Sequence, residues 1–303
     1  MPGISDASAF PDPAAARTAL VFGASGQIGV PLIERLCASG WQVVAVSRVP
    51  RADAPGLRWL CGDLVAAMPA PPARVEAVFS AGPLDHFARW YADVAPAAVR
   101  VVAFGSTSVD AKRTSPDPDE RALATRLAEA EATLFAAAAA RGAAATVLRP
   151  TLVYGRGLDR NLSRIVAQAR RFGRIALPSS ARGLRQPVHA DDLAEAALRC
   201  LPAAAAHGRA YALPGGETLP YREMVARTLA ALRPAPALHA LPMPLFRALL
   251  ALAQATGTAR DLSAAAVARM AEDLAFDAGP ARRDFGYAPR AFAPEAAMFA
   301  PAE

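Results

Sequence analysis

Gly23, Gly26 and Gly29 recur every third residue in Gly23-Ala24-Ser25-Gly26-Gln27-Ile28-Gly29. The turn follows a short apolar run, Thr18–Gly23, and precedes a stretch with Leu32, Ile33 and Leu36 at helical spacing. This arrangement could hold a pyrophosphate. A glycine at 23 permits a tight turn, a glycine at 26 lets the backbone approach a phosphate, and a glycine at 29 lets helix and strand pack closely. The helix N-terminus adds unpaired N–H groups and the positive end of its dipole. A flexible loop can carry the same glycines, but the flanking strand and helix point to dinucleotide binding. The next apolar run ends at Ser47-Arg48, with Arg51 close by. An acidic residue there would bind a ribose 2′-hydroxyl and repel a 2′-phosphate, whereas a hydroxyl and cations suit that phosphate. The expected cofactor is therefore NADP, with NAD as the alternative.

A second polar constellation is Ser106-Thr107-Ser108, directly after the apolar run Val99–Gly105. Hydroxyls at a strand end can orient a reacting oxygen, and they are also common in plain turns. Two scarcities bear on any proton transfer: Lys112 is the only lysine and Asn161 the only asparagine. None of the five tyrosines (Tyr91, Tyr154, Tyr211, Tyr221, Tyr287) has a lysine four residues on.

The elements that must position these residues alternate in type. Strands are predicted at Thr18–Gly23, Trp41–Ser47, Leu57–Cys61, Ala77–Ala81, Val99–Gly105 and Ala145–Leu148. Helices are predicted at Val30–Ser39, Leu84–Tyr91 and Pro118–Arg141, the last rich in alanine. Apolar strands separated by helices predict an α/β fold, a Rossmann-type doubly wound parallel sheet. After Asn161 the pattern becomes a series of helices (Leu162–Arg171, Asp191–Leu201, Tyr221–Leu232, Leu245–Ala255, Ala264–Asp273) joined by Pro- and Gly-rich links. The expected organisation is a flexible tail over 1–16, a dinucleotide-binding domain over 17–175 with 185–213 returning to it, and a smaller, mostly helical substrate portion over 176–303.

Composition excludes several classes. The net charge is +6, but the arginines are scattered and no aromatic-interleaved basic strip appears, which argues against nucleic acid as a partner. No uninterrupted apolar run reaches the length of a membrane span; Leu241–Ala255 is broken by Pro242, Pro244 and Arg247 and reads as a helix against an apolar surface. The N-terminus lacks the pattern of a secretory signal. Cys37, Cys61 and Cys200 lie far apart with no metal-ligand spacing, so no metal is expected and the thiols fit a reducing cytoplasm. A small-molecule partner is expected, and a homodimer is compatible with this reading.

Taken in order, several stretches give the chain a family likeness. They are the glycine turn, Cys61-Gly62-Asp63-Leu64, Phe79-Ser80-Ala81-Gly82, Phe104-Gly105-Ser106-Thr107-Ser108, Leu148-Arg149-Pro150-Thr151-Leu152-Val153-Tyr154-Gly155 and Arg185-Gln186-Pro187-Val188-His189-Ala190-Asp191-Asp192. With them the chain resembles an extended short-chain dehydrogenase/reductase of the NAD-dependent epimerase/dehydratase group, in good register over Thr18 to Leu201. The resemblance implies that Asp63 and Leu64 contact adenine and that Ser80, Ala81 and Gly82 pass the ribose and pyrophosphate. It implies Ser106 as the active-site hydroxyl, with Thr107 as runner-up, and Pro150 beside the nicotinamide. Tyr154, Asn161, Arg185 and His189 would face the cleft between the two portions.

The chain departs from that family where a Tyr-x-x-x-Lys pair, four residues apart on one helix face, would move the proton. The stretch Asp119–Glu131 holds neither residue type. Arg126, or Arg121, could replace the lysine as a ribose holder but cannot supply a proton near neutral pH. Tyr154 and His189 become the candidate proton donors, with Ser106 orienting the reacting oxygen. Two readings follow. One is an atypical oxidoreductase or epimerase acting on a polar carbonyl or hydroxyl compound such as a nucleotide sugar. The other is an NADP-sensing regulatory protein that has lost turnover.

Overall fold

The computed structural model describes residues 17–94, 96–159, 161–256 and 262–299; the tail over 1–16 lies outside them. The first half alternates strand and helix: β1 (Thr18–Phe22), α1 (Gly29–Ala38), β2 (Gln42–Ser47), β3 (Leu57–Cys61), β4 (Arg74–Ser80), α2 (Leu84–Val94), β5 (Ala97–Phe104), the short α3 (Ser108–Ala111), α4 (Pro118–Ala140) and β6 (Ala144–Pro150). Beyond them come β7 (Val153–Tyr154), α5 (Leu162–Phe172), β8 (Arg174–Pro178), β9 (Leu184–Arg185), β10 (Val188–His189), α6 (Ala190–Cys200), β11 (Arg209–Leu213) and β12 (Leu219–Pro220). The chain continues through α7 (Tyr221–Ala230), β13 (Ala237–Leu241), α8 (Met243–Ala255), α9 (Ala264–Arg269) and α10 (Gly279–Phe285).

Seven strands form one parallel sheet in the order β11-β6-β5-β4-β1-β2-β3. The expected Rossmann-type α/β fold is what forms. Both faces are covered, which is why the strands read as continuous apolar runs. On one face α1 and α6 bury Leu32, Leu36, Leu193 and Ala197; on the other α2 and α4 bury Phe87, Tyr91 and Leu134. The strand order reverses beside β1, so β1 and β4 carry connections to opposite faces and leave a crevice at their carboxyl ends.

Local chemistry sets the helix starts. Asp117 accepts N–H groups from Asp119 (2.9 Å) and Glu120 (3.4 Å), and Pro118 occupies the first turn of α4. The helix expected over Ala264–Asp273 stops at Arg269. Past that point its carbonyls are taken elsewhere: Gly183 donates to the Met270 carbonyl, and Arg185 donates to those of Arg269 and Glu272. The later part also holds strand pairs, β13 with β8, β10 with β7 and β12 with β9, of which the last two pairs are two residues long and too short to show periodicity in sequence. Its separate core gathers Tyr154, Leu162, Val166, Met224, Leu229 and Phe292. β11 lies next to β6 in the main sheet, so residues 209–213 are part of the sheet portion.

Candidate functional site

The glycine turn sits at the carboxyl end of β1. Gly23 has φ +65°, and a Cβ there would stand 2.5 Å from the carbonyl carbon of Ala81, so the turn presses on the backbone after β4. A Cβ on Gly29 would lie 2.1 Å from the Gly23 oxygen. A Cβ on Gly26 would meet only that same oxygen, at 3.1 Å, and is otherwise open. Two of the glycines are thus required by packing, and the third leaves a bare stretch of backbone facing outward. The Gly26 N–H closes the turn on the Gly23 oxygen at 2.9 Å. Ser25, Gln27 and Ile28 complete the turn, with Ile28 at the N-cap of α1 and no side chain capping it. No side chain therefore takes up the positive end of the α1 dipole.

Two buried polar atoms here have no protein partner: the hydroxyl of Ser80, fully buried at the end of β4, and the side-chain amide nitrogen of Gln27. Buried polar atoms are nearly always satisfied, so a polar group from outside the chain fits this place. Ala81 donates to the Phe22 carbonyl at 3.0 Å, which ties the Ser80–Gly82 segment to β1.

At the end of β2 the Ser47 hydroxyl is buried and accepts the Val49 N–H at 3.2 Å, leaving its own proton free to donate. Arg48 is exposed, and Arg51 lies over the Trp59 ring at 5.2 Å. Asp63 accepts the Val65 N–H at 2.9 Å, which fixes the turn that carries Leu64.

Ser106 follows β5, two strands from β1. Its oxygen accepts the Ser108 N–H at 3.1 Å, which leaves the hydroxyl able to donate its own proton. The Thr107 hydroxyl is committed: it is buried and donates to the Pro150 carbonyl at 3.2 Å. Beneath them Arg149 of β6 donates to Glu131 of α4 at 2.8 Å through Nε and to Asp110 of α3 at 3.2 Å. The Glu131 bond holds the guanidinium pKa above its usual value. A Cβ on Gly105 would lie 3.3 Å from the Glu131 carboxylate, so this ion pair directly underlies the Ser106 loop. Arg149 stands within the Leu148–Gly155 stretch, and its partners lie 18 and 39 residues away, beyond the reach of local pattern.

Three of the four residues placed at the cleft by resemblance are buried. Tyr154 is fully buried; its hydroxyl accepts the Ala293 N–H at 3.5 Å, and burial raises its pKa. His189 packs edge-on against Tyr154, its Nδ1 accepts the Asp191 N–H at 3.1 Å as the N-cap of α6, and burial lowers its pKa. Arg185 is buried, with its guanidinium spent on the carbonyls of Leu184, Glu272 and Arg269. Val153 and Val188 pack into the core on one face of the sheet while Tyr154 belongs to the later core, so the β7–β10 pair lies between the two. Asn161 is exposed, at the start of α5.

Arg126 is exposed in a shallow groove between α2 and α4, with Asp85, Arg89 and Glu129. It stands about 140° around α4 from Glu131, the residue that faces Gly105, so it is turned away from Ser106. Arg121 donates to the carbonyls of Ser115 (2.7 Å) and Pro116 (2.9 Å). A further cluster escaped sequence reasoning. Glu120, almost fully buried, accepts the Ser115 hydroxyl at 2.8 Å and pairs with Lys112 at 3.5 Å and with Arg269 from α9. The lone lysine was its only signal.

Residues 97–213 match the model of the NAD dependent epimerase/dehydratase family. The resemblance to that family holds. The matched stretch runs from β5 to β11 and leaves out the glycine turn, whose place rests on the geometry above. No curated protein matches the sequence. Solved structures of epimerase and dehydratase type share the fold at low identity. MoeE5, solved with UDP-glucuronic acid and NAD, superposes with a TM-score of 0.64 at 21% identity, covering 91% of this chain and 94% of that one. The epimerase Mth375 from Methanothermobacter thermautotrophicus gives 0.67 at 15% identity, covering 91% and 88%. TunA, an NAD dependent NDP-hexosamine 5,6-dehydratase, gives 0.62 at 16% identity, covering 91% and 93%.

Proposed function

We propose that the chain is an NAD(P)-binding oxidoreductase of epimerase/dehydratase type that works without the Tyr-x-x-x-Lys pair. The observation that carries the reading is the cradle at the ends of β1 and β4, where Gly26 offers bare backbone beside two unsatisfied buried polar atoms, Ser80 Oγ and Gln27 Nε2. Gly23–Gly29 and the N-terminus of α1 would hold the pyrophosphate. Asp63 and Leu64 would border the adenine, Ser80–Gly82 the ribose, and Pro150 the nicotinamide. Ser47, Arg48 and Arg51 favour a 2′-phosphate, hence NADP over NAD, because no carboxylate ends β2.

A bound nicotinamide supplies hydride exchange at a carbonyl or hydroxyl carbon. Ser106 donates its proton in a hydrogen bond to the substrate oxygen, since its own oxygen is already engaged by the Ser108 N–H. Tyr154 and His189 are buried, and in this reading they act through the fold rather than as acids. The transferred proton then comes from water at the cleft. A nucleotide-sugar substrate draws support from relatives such as MoeE5, solved with a UDP-sugar.

The test separates binding from turnover. Gly26→Ala should keep the melting temperature within a few degrees, since its Cβ meets one backbone oxygen at 3.1 Å, yet weaken NADPH binding at least tenfold by fluorescence titration. Ser106→Ala should bind NADPH normally and lose about 10–100-fold in carbonyl-dependent NADPH oxidation. Wild-type binding of NADPH with no oxidation by any carbonyl compound would favour a second reading, an NADP-sensing regulatory protein. That reading is favoured by the burial of both candidate proton donors.

A further inference from the structure

The outer face of α8 is apolar along its length. Leu245, Leu249 and Leu252, at helical spacing on one side, are 55%, 45% and 63% exposed. Ala248, Ala251 and Ala255 widen that exposed side, while Phe246 turns inward and is buried. Single surface leucines are ordinary, but a contiguous stripe marks a contact surface. Phe172, exposed at the end of α5, borders the same opening as Leu249 and Leu252, so the apolar surface continues onto α5. The charge around it has one sign. α5, β8, β13 and α8 together carry five arginines (Arg164, Arg170, Arg171, Arg174 and Arg247), all exposed, and no carboxylate. The Arg171 guanidinium lies over the Phe172 ring, 5.1 Å from its centroid, so cation and apolar side chain share one surface.

A second copy of the chain fits this face poorly. α8 has 13 residues, which makes it about 20 Å long. A helix face of that length and about 10 Å across presents about 200 Å². Stripe against stripe would bury about 400 Å², against the roughly 1,200 Å² of a specific interface. The arginines of the two copies would also repel. A bilayer surface needs no such area: apolar side chains enter the headgroup boundary and arginines meet the lipid phosphates. No described helix is long and apolar enough to cross a membrane. We propose that the α5–α8 face docks the protein on an anionic lipid bilayer. α8 lies in the plane of the interface, with Leu245, Leu249, Leu252 and Phe172 inserted and the arginines on the headgroups.

Co-sedimentation of the full chain with vesicles tests this. The protein should bind vesicles of mixed phosphatidylcholine and phosphatidylglycerol, and phosphatidylcholine alone at least tenfold more weakly. Leu252→Glu, at an exposed position where the melting temperature should hold, should weaken binding at least tenfold. Arg171→Gln together with Arg247→Gln should weaken it about 25-fold, roughly fivefold for each charge. Arg58→Gln, exposed on β3 at the far edge of the sheet, should leave binding unchanged. No binding to the mixed vesicles, equal binding to both vesicle types, or an unaltered Leu252→Glu variant overturns the proposal. So does a loss from Arg58→Gln equal to that from the Arg171 and Arg247 pair, which would reduce the effect to overall charge. A dimer in analytical ultracentrifugation that Leu252→Glu splits, with no vesicle binding, would assign the face to a second copy instead. Vesicle binding requires no cofactor, so its failure and that of the nicotinamide reading are separate results.

Discussion

His189 illustrates how burial changes what a residue can do. In sequence it is a histidine next to two acidic residues, with an ordinary pKa near the middle of the physiological range. In the fold its Nδ1 accepts the Asp191 N–H, and a Cβ on Gly155 would stand 2.2 Å from its Nε2, so backbone closes over the ring's other side. Burial, reinforced by the Arg290 charge, pushes its pKa down. The unfolded chain takes up a proton at about pH 6.5 and the folded ring does not. Its stabilising contribution is therefore complete above that pH and is lost as the pH falls below it toward the folded pKa. Thermal unfolding should show a melting temperature that drops between pH 7.5 and 5.5. His189→Asn, which can still cap a helix, should flatten that slope. His207 is shifted in the same direction, so the quantity that decides is the difference between the variant and the parent. An unchanged slope would mean that His189 titrates normally.

At the scale of elements, α3 and α4 are fastened to β6 by one arginine. Arg149 bridges Glu131 and Asp110 directly below Ser106, and the Glu131 carboxylate is nearly inaccessible, its side chain 7% exposed. Removing the cation strands that carboxylate, which for a fully buried pair costs about 3–5 kcal/mol. Arg149 itself keeps 22% of its side chain exposed, so Arg149→Met should destabilise by roughly 2–3 kcal/mol in urea unfolding. Adding Glu131→Leu should restore part of the loss, because no charge is then left alone. A double variant no more stable than the single one would show that packing, not charge, dominates. The same elements explain why α4 was legible and its role was not. Asp117, Pro118 and the alanine-rich run announce a helix, but nothing local reveals that Glu120 and Glu131, about 20° apart around it, both face inward.

Across the whole molecule the two portions meet through side chains far apart in sequence. Arg269, at the end of α9, reaches Glu120 at the start of α4, while its carbonyl receives Arg185. Arg156 ties Asp191 of α6 to Glu34 of α1, at 2.8 and 3.0 Å. Replacing Arg269 by alanine should loosen α9 against the sheet without disturbing the sheet core. In hydrogen exchange, amides of residues 264–270 should exchange at least tenfold faster while those of β1, β4 and β5 stay unchanged. Equal acceleration in both regions would indicate global destabilisation and leave no special role for the link.

The parallel α/β fold, the glycine turn and the place of Ser106 after β5 were legible in the chain's order of residues, because each depends on local pattern: strand, turn and helix in succession, with a small residue wherever the backbone must approach. The same sequence holds no tyrosine with a lysine four residues on, since Lys112 is the only lysine. Which polar residues are buried follows from contacts between distant parts of the chain. Tyr154, Arg185 and His189 stand in motif positions that promise a cleft, yet partners dozens of residues away seal them inside. Ser80 and Gln27 look unremarkable in sequence, yet they are left with unsatisfied atoms at the cradle. Burial is a sum over the whole chain's packing, and no window of neighbouring residues contains it.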